Sequence, residues 1–161
     1  MRCILLLALG ALVLAVPSQA ERGATAAKMT LRLTITPGGA RFIVDRTPMG
    51  FPNKGDVVRE TSVLRNAVAQ FGRPRGAIVG SDTWIVTFVI APLGKLDVKS
   101  TTRLPGGTSR SRGALSGAQT TGSLRVTGGT GTYANARGTI GLRNLNASGS
   151  RGLSVYRLQL P

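Results

Sequence analysis

The sequence contains no histidine, and its one cysteine is Cys3. Without histidine there is no Ser-His-Asp triad, no side chain that titrates near neutrality unaided, and little from which to build a zinc site. Cys3 lies in an N-terminal apolar segment. Once that segment is removed, the chain can form no disulfide and offers no thiolate nucleophile. Carboxylates are scarce too: Glu21, Asp45, Asp56, Glu60, Asp82 and Asp97 are the full set, and none follows Asp97. Acid–base chemistry is confined to those groups, Tyr133, Tyr156, an amine or water. Aromatic residues make up 4% of the chain. That is too few for a stacking platform, so no specific nucleic-acid partner is expected. No segment carries a helical apolar stripe of about ten residues or more.

What the chain does have is positive charge. Twenty-one Lys and Arg against six Asp and Glu give a formal net charge of +15. A surface of this kind is either a solvated cationic coat or a patch that adheres to an anionic surface or acidic polysaccharide.

The N-terminus reads as a targeting segment. Met1-Arg2 is a short positive start, Ile4 to Val16 is almost unbroken Leu, Ala, Val and Ile, and Pro17-Ser18-Gln19-Ala20 places small residues at a cleavage site after Ala20. This predicts a secretory signal peptide over 1–20 and a secreted, extracellular protein. The apolar run is too short to span a bilayer comfortably; an uncleaved anchor is the alternative. Residues 21–28 are expected to be a flexible arm and 29–161 a single domain. Asn146-Ala147-Ser148 forms a glycosylation sequon, meaningful only in a eukaryotic secretory route.

From Met29 onward the apolar period is two. Met29, Leu31, Leu33 and Ile35 alternate with Thr30, Arg32, Thr34 and Thr36. Pro37-Gly38-Gly39 is expected to turn the chain, and 40–45 to form a short strand. Residues 46–56 read as loop, 57–66 as strand and 70–76 as loop. Trp84 to Ile90 is the most apolar stretch after the leader and is expected to be a central strand. A strand is expected over 96–101 and a mobile basic loop over 105–113. Further strands are expected at 123–126, at 139–142 and from Tyr156 to the end. Short strands with Gly and Pro punctuation predict an all-β sandwich or barrel.

Residues 126–138, VTGGTGTYANARG, require a decision. VTGGTGTY resembles the phosphate-binding turn of a dinucleotide-binding enzyme. Its surroundings exclude that reading. No room remains for further βαβ units, Ala134 stands where a third glycine belongs, and no carboxylate follows to hold a ribose. The alternative is a connection between two strands, in which glycines take backbone conformations closed to other residues, Tyr133 leans over an end of the core, and Gly138 admits a close neighbour.

Gly-Gly-Thr-Gly-x-Tyr-x-x-Ala-Arg-Gly at Gly128–Gly138 resembles the signature of the dirigent proteins and of bacterial proteins with an allene-oxide-cyclase-like barrel. Gly55-Asp56, Val79-Gly80-Ser81-Asp82, the strand from Gly94 and the final Tyr-x-Leu-x-Leu-Pro agree in order, over roughly residues 40–161. The resemblance implies an eight-stranded antiparallel β-barrel of calycin type, a dimer or trimer by analogy. It implies a cavity for a small hydrophobic or phenolic ligand whose coupling or cyclisation the protein steers by confinement, with no cofactor and no metal. It makes Asp45, Asp82, Arg137 and Tyr133 candidate acid/base or hydrogen-bonding groups, and Trp84 and Phe88 candidate ligand-binding residues. Each also has a structural reading: Asp45 and Asp82 as turn or strand-end residues, Tyr133 as a packed cap, Arg137 as a donor to backbone carbonyls, Trp84 and Phe88 as core filling. Two other functions stay open. One is a non-catalytic cationic barrel, its lumen plugged by Trp84, Phe88, Met49 and aliphatics, that binds an acidic envelope or wall polymer. The other is an allene-oxide-cyclase-type isomerase, which would want a buried Glu, for which Glu60 is the one internal glutamate, and a Cys, which the processed chain lacks.

Overall fold

The computed structural model describes residues 26–91 and 94–161. The signal peptide expected over 1–20 lies outside them. Among the described residues run eight strands: β1 (Ala27–Val44), β2 (Val57–Asn66), β3 (Ile78–Phe88), β4 (Lys95–Leu104), β5 (Gly107–Ser116), β6 (Thr121–Gly129), β7 (Arg137–Asn144) and β8 (Gly152–Leu160). Their order in the sheet is their order in the chain. Neighbours are antiparallel, and β8 pairs back onto β1 to close a barrel. Pairing of Ala27–Ile35 with Gly152–Leu160 joins the first and last strands, so the sheet has no free edge over that stretch, while β1 beyond Ile35 pairs with β2 alone. Ala27 and Lys28 already pair with Leu160 and Gln159, so the last two residues of the expected arm belong to the barrel.

Alternation decides what fills the interior. Leu31, Leu33, Leu64, Val98, Leu124, Val126, Ile140, Tyr156 and Leu158 point inward and are buried. The intervening residues, rich in Arg, Lys and Thr, face solvent. Burying a Leu or Val side chain contributes about 1.5–3 kcal/mol, so a core of this kind can hold the domain without crosslinks.

Two expectations are corrected. Pro37-Gly38-Gly39 does not turn the chain. β1 continues through it to Val44, and the register slips between Pro37 and Gly39, opposite Ser62 and Thr61. One extra residue is absorbed as a bulge, which bends the strand without ending it. Past Ile35, β1 has left β8, so Pro37 sits where a missing N–H costs no ladder bond on that side. The second correction is 105–113, expected as loop and in fact mostly β5. The turn is only Pro105-Gly106, between paired Leu104 and Gly107, with Gly106 at φ +88. β5 was obscured because its inward residues are Ser109 and Ser111 and its outward ones Arg110 and Arg112. The period is two, but no large apolar residue marks it.

The glycine-rich stretch behaves as a strand connection. β6 runs into a single 3-10 turn over Gly131–Tyr133, and β7 begins at Arg137. Gly131 has φ +57, and a Cβ there would overlap the carbonyl of Gly106. The loop therefore lies directly against the β4–β5 turn, and Tyr133 closes this end of the barrel.

Candidate functional site

The opposite end is open. A cavity of about 360 Å³ lies between the upper parts of β1–β4 and the mouths of β5–β8. Its apolar wall is Ile35, Leu96, Leu115, Leu142 and Leu153, with Trp84 on one side; Glu60 is the one carboxylate in the wall, and Arg143 stands at the rim. Strand parity puts Glu60 there. On β2 the inward residues are Val58, Glu60, Ser62 and Leu64, and the register sets Glu60 directly opposite Trp84, and Ser62 opposite Asp82.

Asp82 lies one inward step below Trp84 and is 2% exposed. Its Oδ2 accepts the indole N–H of Trp84 at 2.6 Å, and its Oδ1 accepts Ser100 Oγ at 2.7 Å and Thr102 Oγ1 at 3.2 Å. Thr102 and Tyr156 hydroxyls are 3.0 Å apart. Because Thr102 gives its one proton to Asp82, the Tyr156 O–H is the donor to Thr102. Burial pushes the Asp82 carboxyl above its ordinary range, although donors from Ser100, Trp84, Thr102 and the Thr83 backbone pull the other way. Burial likewise raises the Glu60 carboxyl, and the charge of Asp82 adds to it. Tyr156 is held protonated chiefly by burial. The outcome is a half-buried acid at the wall, coupled to a fully buried acid that orients the aromatic ring beside it.

The polar belt is incomplete. Ser111 lies across from Ser100 and Ser109 from Thr102, yet among the described residues neither Ser109 Oγ nor Ser111 Oγ has a hydrogen-bond partner. Among the described residues, no three His, Cys, Asp or Glu side chains converge as metal ligands do.

The structure distributes the predicted site residues over three regions. Asp82 and Trp84 meet at the cavity, Trp84 in its wall and Asp82 beneath it. Phe88, at the end of β3, is half-buried and outside the cavity wall. Asp45 is exposed in the β1–β2 connection, where both its oxygens accept the Gly50 N–H at 3.1–3.2 Å. Tyr133 is 1% exposed at the closed end and donates to the Pro105 carbonyl at 3.1 Å. Arg137 is exposed and donates to the carbonyls of Thr127 and Ala136 at 2.9 and 3.1 Å. Met49 is 76% exposed and plugs nothing. Ser100 and Thr102 join the site without having been singled out for it; Glu60 had been named only as the internal glutamate an isomerase would want, and Tyr156 only among the groups open to acid–base chemistry. The available signal was parity: each lies an even number of residues from an inward neighbour on its own strand.

No protein-family model matches the chain, and no curated protein matches it by sequence. Solved structures do match in shape. A pyocyanin demethylase superposes with a TM-score of 0.63 at 20% identity, covering 81% of this chain and 100% of the other. A pterocarpan synthase dirigent protein gives 0.63 at 16% identity, covering 83% and 94%. An exo-specific intermolecular Diels–Alderase gives 0.62 at 10% identity, covering 82% and 98%. The fold is thus the eight-stranded barrel shared by dirigent proteins and cyclase barrels.

Proposed function

We propose that this barrel binds a small, largely apolar or phenolic molecule in the cavity at its mouth and steers that molecule's coupling or cyclisation by confinement. The observation that carries the reading is the cavity itself: aliphatic walls, one tryptophan face and one carboxylate of raised pKa in about 360 Å³. A planar ring packed between Trp84 and the leucines loses most of its freedom to fold or rotate. Such orientation accounts for much of the barrier reduction in reactions that need no covalent help. Glu60, its carboxyl raised by burial and by the charge of Asp82, can give a proton to a ligand oxygen or take one from it. Asp82 is a positioning residue, holding the indole and biasing Glu60. Proton transfer by Glu60 would equally serve ring closure by an isomerase. Read as a secretory leader, the apolar segment at 1–20 supports a site of action outside the cell.

Trp84 is the only tryptophan, so fluorescence excited selectively at the indole, away from tyrosine absorption, reports on the cavity. Titration with a panel of phenols, planar polyketide-like rings and fatty acids is expected to give saturable quenching and a raised Tm for one class. Gly152 lines the cavity, and a Cβ there meets only ordinary contacts at 3.6 Å, so Gly152→Leu directs a side chain into the mouth, with far-UV circular dichroism as the check on its fold. It is expected to weaken binding at least about tenfold. Quenching that survives Gly152→Leu unchanged, or no stabilisation by any class, rejects the cavity as the site.

A further inference from the structure

The outer surface carries a second, independent pattern. Read across the strands, the register aligns Arg41, Arg59, Ile85, Lys99, Arg112 and Arg125 as successive direct neighbours on β1 to β6. The five cations in that row are exposed. Neighbouring strands are ~4.8 Å apart, so Lys99, Arg112 and Arg125 place three positive groups side by side at that interval. Like charges directly opposite one another destabilise a sheet, and little here offsets them. Of the carboxylates in the described residues, Asp56 and Asp82 are buried and Glu60 faces the lumen. Asp45 is taken up by Gly50. Asp97 is left as the carboxylate on the outer face of the strands. At the β1–β2 end of the row, Arg41 and Arg59 flank a groove of about 240 Å³ with Gly39, Ala40 and Thr61.

We propose that the outer face of β4–β6, with the Arg41–Arg59 groove as its continuation, binds a linear acidic polysaccharide. The polymer would run across the strands, with its carboxylates set against the cationic row. Arginine forks match carboxylates in pairs, and the exposed Thr101 and Ser123, each two residues from a cation of the row on the same outer face, offer hydroxyls to sugar hydroxyls. Nucleic acid fits less well, because no aromatic side chain stands on this face for bases to stack on. A membrane fits less well, because the large exposed apolar residues, such as Met49, Phe51 and Ile90, lie off β4–β6 and none is available here to enter the interface.

The test compares two triple variants of equal charge loss. Lys99→Gln/Arg112→Gln/Arg125→Gln removes the row. Lys28→Gln/Arg32→Gln/Arg75→Gln removes three exposed cations elsewhere. Binding to polygalacturonate, to an oligothymidylate and to phosphatidylglycerol vesicles is measured at several salt concentrations, with Trp84 fluorescence and far-UV circular dichroism as checks on the fold. The wild type is expected to bind polygalacturonate in a salt-sensitive way. The row variant should lose at least about tenfold, and the control variant less than about threefold. If the row variant folds poorly, Arg112→Glu alone replaces it, with the same direction expected. Equal losses in both triples, no binding of polygalacturonate, or tighter row-dependent binding of the oligonucleotide or vesicles overturns the proposal. None of these outcomes depends on the internal cavity.

Discussion

Trp84 gives its indole N–H to Asp82 Oδ2 at 2.6 Å, two residues back on the same strand. The carboxylate is buried under the ring and does not line the cavity, while the ring does. Trp84→Phe keeps an aromatic wall but leaves Asp82 one donor short. An unsatisfied buried acceptor costs about 1–3 kcal/mol, so urea unfolding followed by circular dichroism should show a loss of that size. A Phe variant as stable as the wild type would mean that this bond does not hold the ring.

The two lumen acids set the pH dependence. Both Asp82 and Glu60 have folded pKa values raised above the ordinary 3.8 and 4.5. In the interval above those values the native state holds more protons than the unfolded state, so stability falls as pH rises. Their contribution is complete below the unfolded pKa and is lost as pH passes the folded one. Thermal unfolding from about pH 4 towards neutrality should therefore show a declining component that is reduced in Glu60→Gln and in Asp82→Asn. A slope unchanged in both variants would assign the decline to other groups.

Ser100 and Ser111 face each other across β4 and β5 with opposite hydrogen-bond accounts. Ser100 Oγ donates to Asp82 at 2.7 Å, whereas Ser111 Oγ has no partner among the described residues. Ser100→Ala should cost about 1–3 kcal/mol, and Ser111→Ala should be neutral or stabilising. Equal costs at the two positions would show that Ser111 is satisfied in solution.

On β7, Gly138 and Gly141 separate two roles of glycine. Gly138 has φ +140, and a Cβ there would overlap the Arg157 carbonyl of β8; at Gly141 the nearest contact is 3.7 Å. Gly138→Ala should cost more than about 3 kcal/mol or abolish folding. Gly141→Ala should change stability by no more than about 1 kcal/mol. Chemical denaturation of the pair measures both.

Asp56, buried immediately before β2, accepts the backbone N–H of Arg46 at 2.8 Å and of Asn53 at 2.7 Å. Asp56→Ala strands both donors and should cost about 1–3 kcal/mol. Amide exchange should quicken first over residues 46–56.

The sequence by itself determined the class of the protein. Alternating residues on β1, β4 and β8 can bury a face only as strands, and the glycines at 128–138 can only bend a backbone where no carboxylate or helix follows. It also limited acid–base chemistry to a handful of groups and brought out Asp82 and Trp84. Glu60 was harder to place, because either parity of β2 is plausible: Val58, Glu60, Ser62 and Leu64 on one face, Val57, Arg59, Thr61 and Val63 on the other. β5 was hidden for the same reason, since Ser109 and Ser111 mark an interior no better than a loop. Only the tertiary structure decided these, because which face turns inward is fixed when the sheet closes. Closure set Glu60 opposite Trp84, placed Asp82 beneath them, and aligned on the outside arginines that are far apart in the chain. Register between strands is a property of the assembled barrel, and no single strand encodes it.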